Sequence, residues 1–303
     1  MEFFTSTTRF HLMNRVILTF DIEDGISLSM RDNFDTLIPQ TERVVGCTER
    51  ILEILDESDS KATFFVLGQV AKKFPNLIRR VSDEGHELAV HGYDHITLNK
   101  LNPDQAFKEV FRAKKLIEDI SGMEVYGHRA PAFSLTEKTS WMIDVLVEAG
   151  FKYDSSVLPS NLGAFKWPSF PTKISTVSTK KDNALIEVPV STLSFGKVKI
   201  PFSGGGYLRL LPQSLLSNLF ENQLKKYHVV HYMHPYEIDQ ERYPDYYFEA
   251  LSKSSLKKSL KMRSYWINRS SLPSKLQMLS QKFPTSRLVD LVNGISPMPL
   301  IKL

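Results

Sequence analysis

The chain has 303 residues, of which 42% are hydrophobic, 24% charged and 11% aromatic, and 38 Lys+Arg against 34 Asp+Glu give a formal net charge of +4. That balance excludes a largely disordered chain, and 14 Gly and 16 Pro scattered without period exclude collagen-like and low-complexity architectures. The lone cysteine, Cys47, cannot close an internal disulfide, no run approaches the roughly 18 apolar residues of a membrane span, and Met1–Arg15 lacks the apolar stretch of a secretory signal, so a soluble cytoplasmic protein is expected.

In chain order, Val16–Phe20 reads as a buried strand ending in acids. Thr41–Asp56 carries Val44, Val45, Ile51, Leu52 and Leu55 at helical spacing, and Lys61–Leu67 is a second strand. A helix over Phe74–Glu84, stopped by Gly85, leads to a third strand at Glu87–Val90. Asn102 and Pro103 supply the N-cap and first-turn proline of a helix that Gly122 ends. Val125–Tyr126 and Phe151–Tyr153 read as strands around a helix at Thr136–Ala149, and a helix over Leu210–Lys226 precedes the last strand, Tyr227–Tyr232. Leu158–Phe202, with a strand-like Ala184–Leu193, breaks the rhythm as an inserted hairpin or loop excursion. Strands alternating with helices predict a parallel sheet with helical crossovers, and a barrel of this kind carries its reactive groups on the loops after its strands. Ser252–Leu303 holds ten basic residues against one acid, which suits an anionic surface; it lacks the aromatic interleaving of a nucleic-acid platform.

Four polar constellations follow strands. Thr19-Phe20-Asp21-Ile22-Glu23-Asp24 crowds three carboxylates, which raises at least one pKa unless a cation sits among them. His91-Gly92-Tyr93-Asp94-His95 spaces two imidazoles to share one side of a helical turn, where they can bind one divalent ion. One carboxylate of the first loop completes a two-His, one-carboxylate set with open positions for water. In Gly127-His128-Arg129-Ala130-Pro131 the guanidinium can neutralise an acid of the first loop, and Pro131 stiffens the turn that holds it. In His231-Tyr232-Met233-His234-Pro235, His234 sits at the strand mouth as a proton donor.

Taken in order, these motifs resemble the polysaccharide deacetylases of carbohydrate esterase family 4, the NodB-homology domain, over about Arg15–Asp239. Arg129–Ser134, Tyr153–Ser156, Glu187–Pro189, Gly204–Pro212 and Lys275–Leu291 are similar to a subgroup found near exopolysaccharide export genes. The resemblance implies an α/β fold, a distorted (β/α)₇ barrel over residues 15–240, with a basic helical extension at 241–303 on or beside it. It further implies a metal-dependent hydrolase that removes acetyl from an N-acetylated sugar. Asp21 would be the general base, braced by Arg129, and His234 the general acid; His91 and His95 would bind the metal with Glu23 or Asp24. Asp154 would orient His234 or line the substrate pocket, and Pro131, Gly205 and Tyr207 would line that pocket. Three acids in the first motif depart from the family, whose members have two that are adjacent or separated by one residue. The ion would be zinc, with cobalt, nickel, manganese or iron able to fill the same ligands. The implied substrate is a nucleotide- or lipid-linked glycan precursor, as in O-antigen or exopolysaccharide assembly, met in the cytoplasm with the basic segment against the membrane. Hydrolysis of another linear or cyclic amide on the same barrel, and glycan binding without catalysis, are the competing readings.

Overall fold

The computed structural model describes residues 14–179, 183–294 and 299–303; the N-terminal stretch that bears on a secretory signal lies mostly outside the described residues. The order begins β1 (Val16–Ile22), α1 (Gly25–Phe34), α2 (Arg43–Asp56), β2 (Thr63–Val66), α3 (Gly68–Lys73), α4 (Pro75–Asp83), β3 (Glu87–Val90), α5 (Pro103–Ser121). It continues β4 (Gly127–His128), α6 (Met142–Glu148), β5 (Tyr153–Asp154), β6 (Ser175–Ser178), β7 (Ala184–Glu187), β8 (Thr192–Phe195), β9 (Val198–Pro201), α7 (Gly205–Leu210), α8 (Gln213–Leu224). It ends β10 (Val229–Met233), α9 (Asp245–Ser252), α10 (Leu256–Ser264), α11 (Leu272–Lys282), β11 (Thr285–Ser286), α12 (Leu288–Gly294), β12 (Leu300–Lys302).

Seven of these strands run parallel in the order β10-β1-β2-β3-β4-β5-β7, the α/β architecture expected from the alternation. β1 is apolar until its acids because both of its faces are covered. Val16, Leu18, Phe20 and Ile22 meet the surrounding helices in the large outer core, whereas Ile17 joins Phe65, Ala89, Tyr153 and Val230 in a small inner core. The period of two then carries Thr19 and Asp21 onto that inner face. Between β7 and β10 no ladder forms among the described residues. Serines bridge the gap instead: the Val230 N–H donates to Ser191 Oγ at 2.9 Å, and Ser203 Oγ donates to the Val230 carbonyl at 2.7 Å. This seam is the distortion of the barrel.

Several elements differ from the sequence expectation. The Leu158–Phe202 excursion is two antiparallel hairpins, β6–β7 and β8–β9, and β7 doubles as the seventh parallel strand. The long strand expected at Ala184–Leu193 is divided by Pro189, which has no N–H for a ladder. The helix expected over Leu210–Lys226 begins only after Pro212, as α8, and a separate short helix, α7, precedes it. The segment 241–303 is not purely helical. β11 pairs with the start of β1, β12 pairs with β6, and Leu288 and Leu291 of α12 enter the inner core. Leu272, Leu276 and Leu279 of α11 are fully buried in the outer core, each worth about 1.5–3 kcal/mol relative to exposure. This segment is therefore part of the fold, a role its basic composition conceals.

Candidate metal centre

The same alternation that sends Ile17 inward places Asp21 and, just past the strand, Glu23 at the carboxyl end of β1. Asp24 falls on the opposite parity. Its Oδ1 caps α1, accepting the Ile26 N–H at 2.9 Å and the Ser27 N–H at 3.4 Å, and its Oδ2 accepts the Thr41 N–H. Of the two carboxylates left open by the sequence, only Glu23 meets the histidines. Its Oε2 lies 3.0 Å from His95 Nε2 and 3.7 Å from His91 Nε2.

His91 follows β3 directly and is 1% exposed. Its Nδ1–H donates to the Arg129 carbonyl at 2.9 Å, which leaves the Nε2 lone pair aimed at the acids, and burial pushes its pKa down to about 4. The approach of His95 is not helical, contrary to the reading from spacing. Gly92 at φ +77° and His95 at φ +54° turn the chain back in a loop, bringing the two rings to 5.4 Å. Arg31 on α1 fastens that loop, donating to the Asp94 carbonyl at 2.7 Å and the His95 carbonyl at 3.3 Å.

Burial alone would raise the Glu23 pKa, but the imidazoles of His95, His234 and His91 hold it down at about 2. Even so, Glu23 Oε2 is buried without a hydrogen-bond donor. One donor atom each from Glu23, His91 and His95 lies within 4.8 Å of the others, so an orphaned carboxylate oxygen and a neutral, oriented imidazole fit a divalent cation.

Asp21 stands beside this trio, with Oδ2 4.0 Å from His91 Nε2 and 3.8 Å from His234 Nε2. Its Oδ1 accepts from Arg129 Nη1 at 2.8 Å, and Arg129 is wholly buried with Thr19 and Ser155 on its remaining donors. His234 comes from the end of β10, its Nε2 3.2 Å from Glu23 Oε1. Glu237, which the sequence reading missed, accepts from the backbone N–H of His234 at 3.0 Å and from its Nδ1–H at 3.1 Å. Burial opposes the charge on His234, yet Glu23 and Glu237 together raise its pKa to about 9. A carboxylate three residues past a histidine and two past a proline was the available signal.

The residues expected to line a substrate pocket fall elsewhere. Asp154 does not reach His234; Nδ1–H of His128 donates to it at 2.7 Å, and Glu187 beside it, deeply buried, is pushed well above the usual carboxylate pKa. The backbone of Gly205 lies so near the Glu237 carboxylate that a Cβ there would overlap it, so this glycine admits Glu237 rather than a sugar. Pro131 is buried and packs against Gly92, and Tyr207 is half-buried outside the cleft. The cleft itself, about 330 Å³, opens beside Glu23, His95 and His234 and is walled by Tyr232, Tyr236, Tyr243 and Trp266. Part of that wall comes from the C-terminal segment.

The sequence matches the polysaccharide deacetylase family over residues 13–153 and a domain of unknown function (DUF3473) over residues 155–293, within which the C-terminal resemblance at Lys275–Leu291 falls. Among similar curated proteins, a peptidoglycan-N-acetylglucosamine deacetylase of Bacillus cereus is 37% identical over 75 residues, 25% of this chain and 27% of that protein. A chitooligosaccharide deacetylase of a Bradyrhizobium species is 33% identical over 100 residues, 33% of this chain and 43% of that protein. The chain thus spans less than half the length of these relatives. A crystal structure of a candidate polysaccharide deacetylase from Mycobacterium smegmatis shares the fold, with a TM-score of 0.62 at 20% identity over 96% of this chain and 95% of that one.

Proposed function

The chain carries a polysaccharide deacetylase domain over residues 13–153, and from that premise we propose that it hydrolyses the acetamido group of an N-acetylated sugar, with one divalent ion held by Glu23, His91 and His95. The observation that carries this reading is the convergence of those three donors around an unpartnered carboxylate oxygen, with Asp21 and His234 on its flanks. A divalent ion supplies Lewis acidity there, making water a better nucleophile and the acetyl carbonyl a better electrophile. Zinc suits a two-His, one-carboxylate set.

The chain's own groups divide the proton work. Arg129 occupies Asp21 Oδ1 and leaves Oδ2 facing the site, where it takes the proton from water as the new C–O bond forms. His234, kept charged by Glu23 and Glu237, gives its proton to the nitrogen as the C–N bond breaks. The products are acetate and a free amino sugar. Release of acetate from a panel of N-acetylated sugars by metal-loaded protein tests the reading directly, and no release from any of them refutes it. His234→Ala should lower kcat by about 10²–10⁴, the usual weight of a positioned acid, with metal content unchanged; metal loss in that variant would contradict its assigned role.

The same proposal extends to a glycan precursor handled in the cytoplasm at the inner membrane face. Its support is α10, where Leu256 and Leu260 are 75% and 59% exposed beside Lys257, Lys258, Lys261 and Arg263, while Met262 turns into the cleft. Apolar and basic side chains interleaved on one short helix suit an anionic leaflet. Leu256→Glu with Leu260→Glu should abolish co-sedimentation with phosphatidylglycerol vesicles, while equal binding by the variant ends the idea. Truncation is no test here, because α11 and α12 are core elements.

A further inference from the structure

The cleft that opens on Glu23, His95 and His234 is also lined by Arg209 and Arg269, two guanidinium groups that the deacetylation chemistry does not use. Arg209 is 6% exposed. Its Nη1 donates to the Tyr265 carbonyl, and among the described residues its Nε, which is buried, and its Nη2 make no hydrogen bond. The Nε–Nη2 edge, which grips two oxygens of an anion side by side, is therefore unfilled. Arg269, 5% exposed, donates to main-chain oxygens along this wall, Nε to Tyr265 at 2.8 Å and Nη1 to Asp239 at 3.3 Å, meets the Tyr243 hydroxyl, and lies over Trp266 at 4.3 Å, so its partners are neutral. Among the described residues no carboxylate pairs with either arginine. The nearby acids are engaged elsewhere: Glu237 with His234, Asp239 with Arg43 and Asp32 with Arg31. Behind them Lys275 Nζ, also buried, is spent on the carbonyls of Leu208, Arg209 and Leu211.

Buried guanidinium charge with an open donor edge calls for an anion, and among the described residues none pairs with it directly: Glu237, whose charge Arg209 feels, is hydrogen-bonded to His234. Building on the deacetylase reading, we propose that Arg209 and Arg269 bind a phosphoryl group on the substrate, so that the sugar is presented as a sugar phosphate rather than as a neutral polymer. Two guanidiniums offer more donors than a carboxylate's two oxygens can use, whereas a phosphoryl group accepts from both. A cleft of about 330 Å³ lies at the small end of small-molecule sites and suits one sugar with its phosphate better than several residues of a chain. The aromatic wall of Tyr243 and Trp266 gives the sugar a face to lie on.

Calorimetric titration of the metal-loaded protein with N-acetylglucosamine 1-phosphate and with N-acetylglucosamine tests this without requiring turnover. The phosphate should bind about ten- to a hundredfold more tightly, the weight of one or two charge-assisted hydrogen bonds, with the advantage shrinking as salt rises. Arg209→Gln should erase that preference. Arg209→Lys, which keeps the charge and loses the fork, should retain part of it, and thermal unfolding of both variants checks the fold. Equal binding of the two ligands by the unaltered protein, or an undiminished preference in Arg209→Gln, overturns the proposal. Acetate release from UDP-N-acetylglucosamine and from polyprenyl-pyrophosphate N-acetylglucosamine then tells a nucleotide carrier from a lipid one. Tight phosphate binding with no acetate from any sugar would fault the deacetylase reading and leave this one standing, and turnover of neutral chitooligosaccharide without phosphate preference would do the reverse.

Discussion

Glu23→Gln should strip the protein of its stoichiometric metal and reduce acetate release to background, whereas Asp24→Ala should keep the metal and lose stability. The two acids are neighbours in sequence and opposites in place. Glu23 Oε2 faces His95 and His91 with no donor of its own, and an amide cannot supply the anionic oxygen that a hard or borderline cation needs there. Asp24 instead accepts backbone N–H groups at the start of α1 and from Thr41, so its removal takes away a helix cap at a cost of about 0.5–2 kcal/mol. Metal analysis by mass spectrometry after dialysis, paired with denaturant unfolding, separates the two effects. Metal retained in Glu23→Gln and lost in Asp24→Ala would move the ligand to Asp24 and undo the geometry argued from strand parity.

That parity was already written in the sequence, since an inward Asp21 implies an inward Glu23 two residues on. What the sequence could not show was how far β1 keeps its alternation, and hence whether Asp24 still belongs to the strand or already to the helix that follows. The strand-end motifs were legible because each combines a run of apolar residues with polar groups immediately after it. The means by which His91 and His95 meet was not, because a four-residue spacing is shared by a helical turn and by a loop with two left-handed residues. The C-terminal segment misled through its surface: ten basic residues are visible in composition, while Leu272, Leu276 and Leu279 reveal their role only where α11 meets α2 and α7, and Leu288 only beside Ile17 and Phe65. Arg209 gave no signal at all, since a buried guanidinium whose Nε lacks an acceptor is a property of contacts.

Asp21→Asn should abolish turnover, retain the metal and weaken the fold, and the three outcomes have separate causes. Asparagine is not a base, so the proton on the attacking water has no acceptor at Oδ2, while Glu23, His91 and His95 remain in place for the ion. Stability falls because Arg129 is wholly buried, and Asp21 is the carboxylate paired with it among the described residues. Thr19 Oγ1, the Ser155 carbonyl and Ser155 Oγ still accept from the guanidinium, at 2.8, 3.0 and 3.0 Å, but they are neutral. Removing one member of a buried ion pair typically costs about 3–5 kcal/mol, and an amide oxygen that still accepts from Nη1 should hold the loss near the lower figure. Arg129→Met in the Asp21→Asn background removes the uncompensated charge and sets an apolar side chain against Phe65, over which the guanidinium lies at 4.0 Å. The double variant should therefore recover stability relative to Asp21→Asn alone, as measured by a double-mutant cycle in urea, and still release no acetate. Recovery of stability and activity together would mean that Asp21 serves only to neutralise Arg129, and the proton would then need another acceptor.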